Sequence, residues 1–200
     1  AARLNLKHIV VTSVARDDLS DGGASGFCYT IEAIRNRLPD STIEVLIPDF
    51  RGSLSSLEKV IDSAPDVINH NLETVPRLYR SVRPGTQYLR SLEVLQHVKK
   101  VSQSIATKTG IMLGLGETET EVLSVMKDAR EHGVDIFTAG QYMQPSKDHL
   151  PVTEYVSPEH FSKYEIIAKH IGFPHVFVGP LVRSSYHAEE FIDQKQSKQL

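Results

Sequence analysis

Cysteine is almost missing from this sequence, which contains a single one, Cys28, in 200 residues. One thiol cannot form an internal disulfide, and by itself it cannot ligate a zinc ion or an iron–sulfur cluster. The surrounding segment, FCYTIEAI, has the apolar pattern of a helix, and free cysteine is often buried. We therefore expect Cys28 to be a buried helix residue and not a nucleophile.

Long apolar runs and clusters of positive charge are missing as well. No apolar stretch approaches the ~20 residues that a membrane-spanning helix needs, and the first residues lack the pattern of a signal or transit peptide. The 22 lysines and arginines are spread along a chain of net charge −3, which argues against nucleic-acid binding. We expect neither a membrane nor a nucleic-acid partner, and a cytoplasmic location, or a mitochondrial or plastid one if a transit peptide preceded this sequence.

What the sequence does contain is a regular alternation of strand and helix patterns. Strands joined by crossover helices build a parallel sheet, and no Gly-x-Gly-x-x-Gly motif opens a helix as it would in a dinucleotide-binding sheet. The pattern favours an α/β barrel or partial barrel, in one domain over 1–191 with a polar tail at 192–200. The predicted strands are 8–14, 42–50, 66–71, 105–116, 134–140 and 174–180.

Polar residues follow the first predicted strand. Strand ends that carry polar groups and glycines are where α/β proteins bind ligands. Ser13, Arg16, Asp17 and Asp18 stand at this strand end, ahead of two adjacent glycines. The acidic side chains and the glycine amides would suit a ligand that has both an ammonium and a carboxylate group, and the alternative is a solvated turn.

The end of the third strand carries Asn71 and Glu73. An amide and a carboxylate two residues apart can hold the vicinal hydroxyls of a ribose, because each hydroxyl is both a donor and an acceptor. The alternative for Asn71 is helix capping. His70 would point to the opposite side of the strand, where a structural hydrogen bond is the more common role.

Further candidates lie along the rest of the chain. Arginine can bind a carboxylate through two hydrogen bonds, although a surface position on a helix is the more frequent case, and glycines at a strand end permit close approach by a ligand. Glutamine and tyrosine after the fifth strand could contact a base or an acyl chain, and the paired serines after the last strand could cap a group or form a turn. These residues are Arg83, Arg90, Gly114, Gly116, Gln141, Tyr142, Gln144, Ser184 and Ser185.

Several segments taken together resemble the lipoyl synthases, a family of radical S-adenosylmethionine enzymes. NHNLET and GLGET also occur in similar form in biotin synthase, whereas their combination with the other segments is specific to lipoyl synthase. The resemblance extends over about residues 3–190. The segments are VTSVARDDLSDGGA, EVLIPDFRG, DVINHNLETVPRLYRSVRPG, TKTGIMLGLGETETEV, DIFTAGQYMQPSKDHLPV and GPLVRSSYHA.

The resemblance implies a fold and a reaction. The fold is a partial (β/α)6 barrel of the TIM type, here without its first strand and its cluster loops. The reaction is the insertion of two sulfurs, at C6 and C8, into an octanoyl chain bound to a protein lysine. One [4Fe–4S] cluster cleaves S-adenosylmethionine to a 5′-deoxyadenosyl radical that abstracts hydrogen from carbon, and a second [4Fe–4S] cluster donates the sulfur. The cofactors carry the chemistry, so no side chain is expected to be catalytic.

The resemblance also implies partners and residue roles. Octanoylated lipoyl domains or the glycine cleavage H protein would be the substrates, with a ferredoxin or flavodoxin as electron donor. A serine of RSSY, Ser185 in preference to Ser184, would be the non-cysteine ligand of the auxiliary cluster. Loop 17–23 would contact the methionine part of S-adenosylmethionine, Asn71 and Glu73 its ribose, and GLGET its nucleoside. The residues implied for this cofactor are Ser13, Asp17, Asp18, Asn71, Glu73, Arg90, Gly114, Gly116, Glu117 and Gln141.

The sequence departs from the family at its cysteines. In the family, two cysteine triplets precede the VTSV strand, and this sequence has only Cys28. We therefore expect a C-terminal portion of a lipoyl synthase that is inactive by itself. The alternative is a non-catalytic remnant or a module that binds S-adenosylmethionine or the acyl domain. An aldolase-like barrel is disfavoured, because Lys108 comes too early in its strand to form a Schiff base.

Overall fold

The structure is a computed structural model and describes residues 1–183 and residue 185. It contains one sheet of six parallel strands whose spatial order, β1 to β6, is also their order in the sequence. The strands are β1 (His8–Thr12), β2 (Thr42–Leu46), β3 (Val67–Asn69), β4 (Ala106–Leu113), β5 (Ile136–Gln141) and β6 (His175–Val178). The helices are α1 (Ala24–Arg37), α2 (Leu54–Asp62), α3 (Tyr79–Val82), α4 (Tyr88–Val101), α5 (Glu119–Glu131) and α6 (Pro158–Ile171).

The prediction of a partial barrel is confirmed. Every strand pairs in parallel with the next one, and within the described residues no pairing joins β6 back to β1. The predicted end of the domain at 191 and the tail at 192–200 lie outside the described residues. No helix in the part of the chain that the structure describes is long and apolar enough to cross a membrane.

Local sequence signals place the helices. Ser53, Thr118 and Ser157 each accept a hydrogen bond from a backbone N–H in the first turn of the helix that follows, which satisfies a donor that the helix leaves unpaired. Pro158 opens α6, and Gly172 ends it at φ 99°, a conformation that glycine adopts without steric cost. Such starts and stops are the kind that local sequence signals predict.

The strands alternate between two environments. Side chains on the outer face, such as Ile43, Val45 and Phe137, pack under the helices in two apolar clusters. Side chains on the inner face line the lumen of the partial barrel, which is closed at the amino end of the strands by Val67 and Ala106 together with neighbouring apolar residues. Toward the carboxyl ends of the same strands, the inward-facing residues are polar, and the candidate site is built from these residues.

Predictions of detail were wrong at the strand ends and at Cys28. Five strands end two to four residues earlier than predicted, at Thr12, Leu46, Asn69, Leu113 and Val178. Pro48 has no N–H to continue β2, whereas the chain after Asn69 stays bonded to β4 without strand geometry. Cys28 is helical but only half-buried, and its thiol donates to the carbonyl of Lys59 at 3.3 Å, where α1 meets α2.

Candidate functional site

A cavity of about 350 Å³ opens at the carboxyl ends of β2 to β5. Ligand sites in parallel barrels lie at this end of the strands, and small-molecule pockets begin at about 300 Å³. The cavity lining includes both polar and apolar side chains. Its lining consists of Leu46, Asn71, Glu73, Gly110, Ile111, Met112, Thr138, Gly140, Gln141, Met143, Val182 and Arg183.

The chain that follows β3 carries Asn71 and Glu73 into this cavity. The Glu73 N–H donates to the carbonyl of Gly110 at 2.9 Å, and the Met112 N–H donates to the carbonyl of Glu73 at 2.8 Å. Glu73 has φ 64°, a left-handed conformation that strains a residue with a side chain. The backbone bonds to β4 hold this strained turn, so the predicted pair is brought together at the cavity wall.

The Asn71 side chain is not fully satisfied by the protein. Asn71 Oδ1 is buried and has no hydrogen-bond partner in the described structure. Burial raises the pKa of the Glu73 carboxyl, and the Asn71 amide and the Arg83 guanidinium oppose that shift. A buried acceptor without a partner costs about 1–3 kcal/mol. The pair is therefore suited to a ligand that brings hydroxyl donors, such as a vicinal diol.

Two glycines of the cavity lining lie close to other parts of the protein. A Cβ on Gly110 would lie 2.3 Å from Thr138 Oγ1 and 3.3 Å from Asn71 Oδ1, and a Cβ on Gly140 would lie 2.1 Å from the carbonyl oxygen of Val182. Both glycines stand inside strands, where glycine has no conformational advantage and marks close approach by another group. Sequence reasoning did not select them, although a glycine within TKTGIM or FTAGQY was a usable signal.

Gln141 lines the cavity, but its amide is used by the protein. Its Nε2 donates to the carbonyls of Tyr142 and Glu154 at 3.1 and 3.0 Å, and its Oε1 accepts from the Val156 N–H at 2.9 Å. The side chain thus fastens the loop between β5 and α6. A contact between Gln141 and a ligand stays a prediction.

The GLGET segment is absent from the cavity lining. The Glu117 carboxylate accepts from the N–H groups of Gly114 and Leu115 at 2.6 and 2.9 Å, and the Gly116 carbonyl accepts from Arg77. A Cβ on Gly114 would lie 2.3 Å from the carbonyl oxygen of Glu154. The close approach that was expected from a ligand is made here by the protein, and the nucleoside contacts of Gly114, Gly116 and Glu117 stay predictions.

The structure does not bring the loop after β1 to the cavity. Ser13 Oγ donates to the neighbouring carbonyl of Val14, and the Asp18 carboxylate pairs with Arg16 at 2.6 Å. Asp17 and Asp18 lie on a separate depression beside this loop. The predicted contacts of these residues with S-adenosylmethionine stay predictions.

The two arginines differ from the prediction. Arg90 Nε donates to Asp49 at 2.7 Å and is not part of the cavity lining. Arg83, for which a surface position was favoured, is half-buried, and it donates to the carbonyl of Asn71 at 2.8 Å. Sequence reasoning therefore gave the greater weight to the arginine that lies further from the candidate site.

Of the paired serines, only Ser185 is described, in an exposed turn. Ser184 lies outside the described residues. A cluster-ligand role for either serine stays a prediction. Cys28, the one cysteine in the sequence, lies between α1 and α2 on the outer side of the sheet, and no three His, Cys, Asp or Glu side chains of residues 1–183 and 185 converge as metal ligands. This donor set does not fit a [4Fe–4S] cluster.

A second polar layer lies in the lumen below the cavity. Lys108 Nζ donates to both carboxylate oxygens of Glu44 at 3.0 Å, and Asn69 Nδ2 donates to one of them at 3.1 Å. Lys108 and Glu44 are each 1% exposed. The lysine is held by a carboxylate, which agrees with the expectation that it does not serve as a Schiff-base amine.

Comparisons with known proteins show which family this chain resembles. The profile of the Radical SAM superfamily matches residues 1–137. Lipoyl synthase of Caldanaerobacter subterraneus is 57% identical over 189 residues, which are 94% of this chain and 66% of that protein. Lipoyl synthase of Rubrobacter xylanophilus is 53% identical over 94% of this chain and 59% of that protein. The chain thus spans about three fifths to two thirds of the length of these curated relatives.

Solved structures show the same fold at low sequence identity. Methylornithine synthase superposes with a TM-score of 0.60 at 11% identity, over 98% of this chain and 68% of that one. Coproporphyrinogen III oxidase of Escherichia coli, described as a radical SAM enzyme, gives a TM-score of 0.61 at 13% identity, over 84% of this chain and 41% of that one.

Proposed function

The chain belongs to the radical SAM superfamily and, within it, to the lipoyl synthases, and from this premise we propose that its barrel holds S-adenosylmethionine beside a protein-bound octanoyl chain. The proposed reaction inserts sulfur at C6 and C8 of that chain to give a lipoyl group on a lysine. The observation that carries the proposal is the unpaired, buried Asn71 Oδ1 next to Glu73 in a ligand-sized cavity.

Asn71 and Glu73 would hold the ribose of S-adenosylmethionine. The two vicinal hydroxyls can donate to Asn71 Oδ1 and to the Glu73 carboxylate and can accept from the Asn71 amide. The bonds replace those that water makes to the free site, and the low dielectric of the cavity strengthens them. Bound S-adenosylmethionine supplies the hydrogen-abstracting chemistry, and the residues of this chain bind it, orient it and exclude water.

The apolar residues of the cavity lining would receive the acyl chain. These residues are Leu46, Met112, Met143 and Val182. Burial of an octanoyl chain contributes about 0.8 kcal/mol for each CH₂ group. Met143 is 54% exposed and stands where the chain would enter. The carrier is proposed to be an octanoylated lipoyl domain or the glycine cleavage H protein, with a ferredoxin or flavodoxin as electron donor.

The donor groups of the described residues do not fit an iron–sulfur cluster. The residues of this chain would therefore contribute by positioning the cofactor and the substrate.

Nucleoside binding tests the proposal without requiring a cluster. Adenosine and 2′,3′-dideoxyadenosine differ only in the vicinal hydroxyls, so calorimetric titration of both isolates the predicted contact. A hydrogen bond to a charged group contributes about 1.5–3 kcal/mol, so we expect adenosine to bind at least about tenfold more tightly. Glu73→Gln should remove most of that preference, whereas Glu32→Gln, at an exposed carboxylate on α1, should not. Equal affinity for the two nucleosides would refute the ribose assignment.

A further inference from the structure

Arg83 contacts the backbone that carries the candidate ribose pair. Its Nη1 donates to the carbonyl of Asn71 at 2.8 Å and lies 3.4 Å from both Tyr79 Oη and Ser91 Oγ. Its guanidinium also stands over the Tyr79 ring, 5.7 Å from the ring centre. One arginine thus joins the turn after β3 to α3 and α4.

The hydrogen bonds continue from Arg83 into the core in a fixed direction. His70 Nδ1 lies 2.8 Å from the carbonyl oxygen of Ile47, which can only accept, so Nδ1 carries the proton. His70 Nε2 is then an acceptor, and Ser91 Oγ, at 3.0 Å, must donate to it. The lone pairs of Ser91 Oγ remain for Arg83. These bonds form a hydrogen-bond relay that runs from Arg83 through Ser91 and His70 to the Ile47 carbonyl.

The relay requires a neutral His70, and the surroundings provide one. Burial lowers the pKa of His70 to about 4, and the positive charge of Arg83 acts in the same direction. On the side that faces β4, Thr109 Oγ1 donates to the carbonyl of His70 at 2.8 Å and accepts from the Leu72 N–H at 3.2 Å. The segment from 70 to 73 is therefore held from the helices by Arg83 and from the sheet by Thr109.

We propose that Arg83 is a positioning residue for ligand binding, which fixes the Asn71–Glu73 turn through its hydrogen bond to the Asn71 carbonyl and places a positive charge beside that turn. The proposal rests on the proposed function, because it concerns the same ribose pair. It assigns to Arg83 no contact with the ligand. Arg83 contributes a hydrogen bond to the turn and a positive charge beside it. Substitutions can remove one contribution without the other, so the two can be tested separately.

The pH dependence of ligand binding separates the two contributions. Its acid limb is the range in which affinity falls as the pH is lowered. Glu73 must be ionised to accept both hydroxyls, so affinity falls as the pH falls through its pKa. Arg83 lowers that pKa against the effect of burial, and loss of its charge should move the limb to higher pH. The charged and titratable groups that face Glu73 or its surroundings are Arg83, His70, Tyr79, Arg183, Glu44 and Lys108.

The experiment measures adenosine affinity from pH 5 to 8 for the wild-type chain and three variants. Arg83→Gln should weaken binding about tenfold at pH 7, in proportion to one lost hydrogen bond, and should move the acid limb to higher pH. Arg83→Lys keeps the charge but not the fork of donors, so its affinity should fall while its limb stays in place. Arg80→Gln removes an exposed positive charge from α3 and should change neither quantity.

Each result decides between the two proposals. If the wild-type chain binds adenosine and Arg83→Gln leaves both affinity and limb unchanged, the positioning role is overturned while the proposed function stands. If the limb moves equally in Arg83→Gln and Arg83→Lys, the charge has no specific role and the proposal is also overturned. Absence of adenosine binding to the wild-type chain overturns the ribose assignment and this role together. If Arg83→Gln does not fold, the backbone contact can still be tested by comparing Arg83→Lys with Ser91→Ala, a variant that breaks only the relay. Unchanged adenosine affinity in Arg83→Lys would refute a role for the contact between Arg83 and the Asn71 carbonyl.

Discussion

The lumen of the barrel holds two polar layers that lie two residues apart on the same strands. The lower layer consists of Glu44, Asn69 and Lys108, and the upper layer of Asn71, Glu73 and Gly110. In the lower layer each charge has a partner at 3.0 Å. In the upper layer the Glu73 carboxylate forms no ion pair within the described residues. Both layers are polar, so polarity alone does not mark a ligand site; the upper layer differs because its carboxylate lines the cavity and forms no ion pair among the described residues.

The two layers also differ in what they do to stability. The lower layer also holds a buried acceptor without a partner, Asn69 Oδ1, but its two charges pair with each other. The upper layer contains a strained backbone at Glu73, a buried acceptor without a partner at Asn71, and a glycine, Gly110, that lies close to Thr138. Such costs are typical of binding sites, which trade stability for function. The predictions below test this division.

Removal of the lysine from the lower layer should have the largest effect. Lys108→Met leaves the buried Glu44 carboxylate with only His8 Nε2, at 3.7 Å, as a basic neighbour, and loss of one partner from a buried ion pair typically costs about 3–5 kcal/mol. The free energy of unfolding, measured by urea titration with circular dichroism, should fall by that amount. The matched double variant Glu44→Leu with Lys108→Met removes both charges and should recover most of the loss. A loss below about 1 kcal/mol in the single variant would show that the lower layer is not closed around this pair.

Acid should destabilise the chain through His70, which links the upper layer to the helices. The folded pKa of about 4 lies below the ordinary value of 6.5, so between these values the unfolded state binds more protons. Stability is then fully present above pH 6.5 and declines as the pH falls toward 4, by about 3 kcal/mol at most. Urea midpoints across this range should show a smaller slope in His70→Gln than in His160→Gln, a change at an exposed histidine. Equal slopes would contradict the buried neutral state.

Much of this arrangement was predictable from the sequence. The order of strands and helices follows from local periodicity and from caps such as Ser53 and Thr118, because these signals act over a few residues. Asn71 and Glu73 were found because they stand close together in the sequence at a strand end. The ligand class came from resemblance.

What could not be predicted from the sequence depends on long-range contacts. Arg83 was undervalued because its acceptor is a backbone carbonyl, which no side-chain pattern records. The close contact between Gly114 and the chain at Glu154 likewise has no local sequence signal. The Glu44–Lys108 pair joins residues 64 positions apart, a separation at which neither periodicity nor spacing gives any signal.

Filling the upper layer should reduce both stability and binding. Gly110→Ala places a Cβ 2.3 Å from Thr138 Oγ1, and overpacking of this kind costs about 1–3 kcal/mol. Adenosine affinity should fall as well, because the same Cβ crowds Asn71 Oδ1. Gly26→Ala is the matched control, since Gly26 lies in α1 with open space around it, and there alanine should be neutral or stabilising. Unchanged adenosine affinity in Gly110→Ala would exclude this part of the cavity from the site.

Asn71→Ala should give the smallest change in stability and the clearest contrast with Lys108→Met. Its Oδ1 has no partner to lose, so removal of the side chain relieves an unsatisfied acceptor while it gives up some packing, and we expect the free energy of unfolding to change by less than about 1 kcal/mol. Adenosine affinity should nevertheless fall about tenfold. Both quantities can be measured on one preparation, by urea titration and calorimetry. A residue that contributes to binding and not to folding belongs to a site, whereas a large loss of stability here would mean that the upper layer, like the lower one, is part of the structural core.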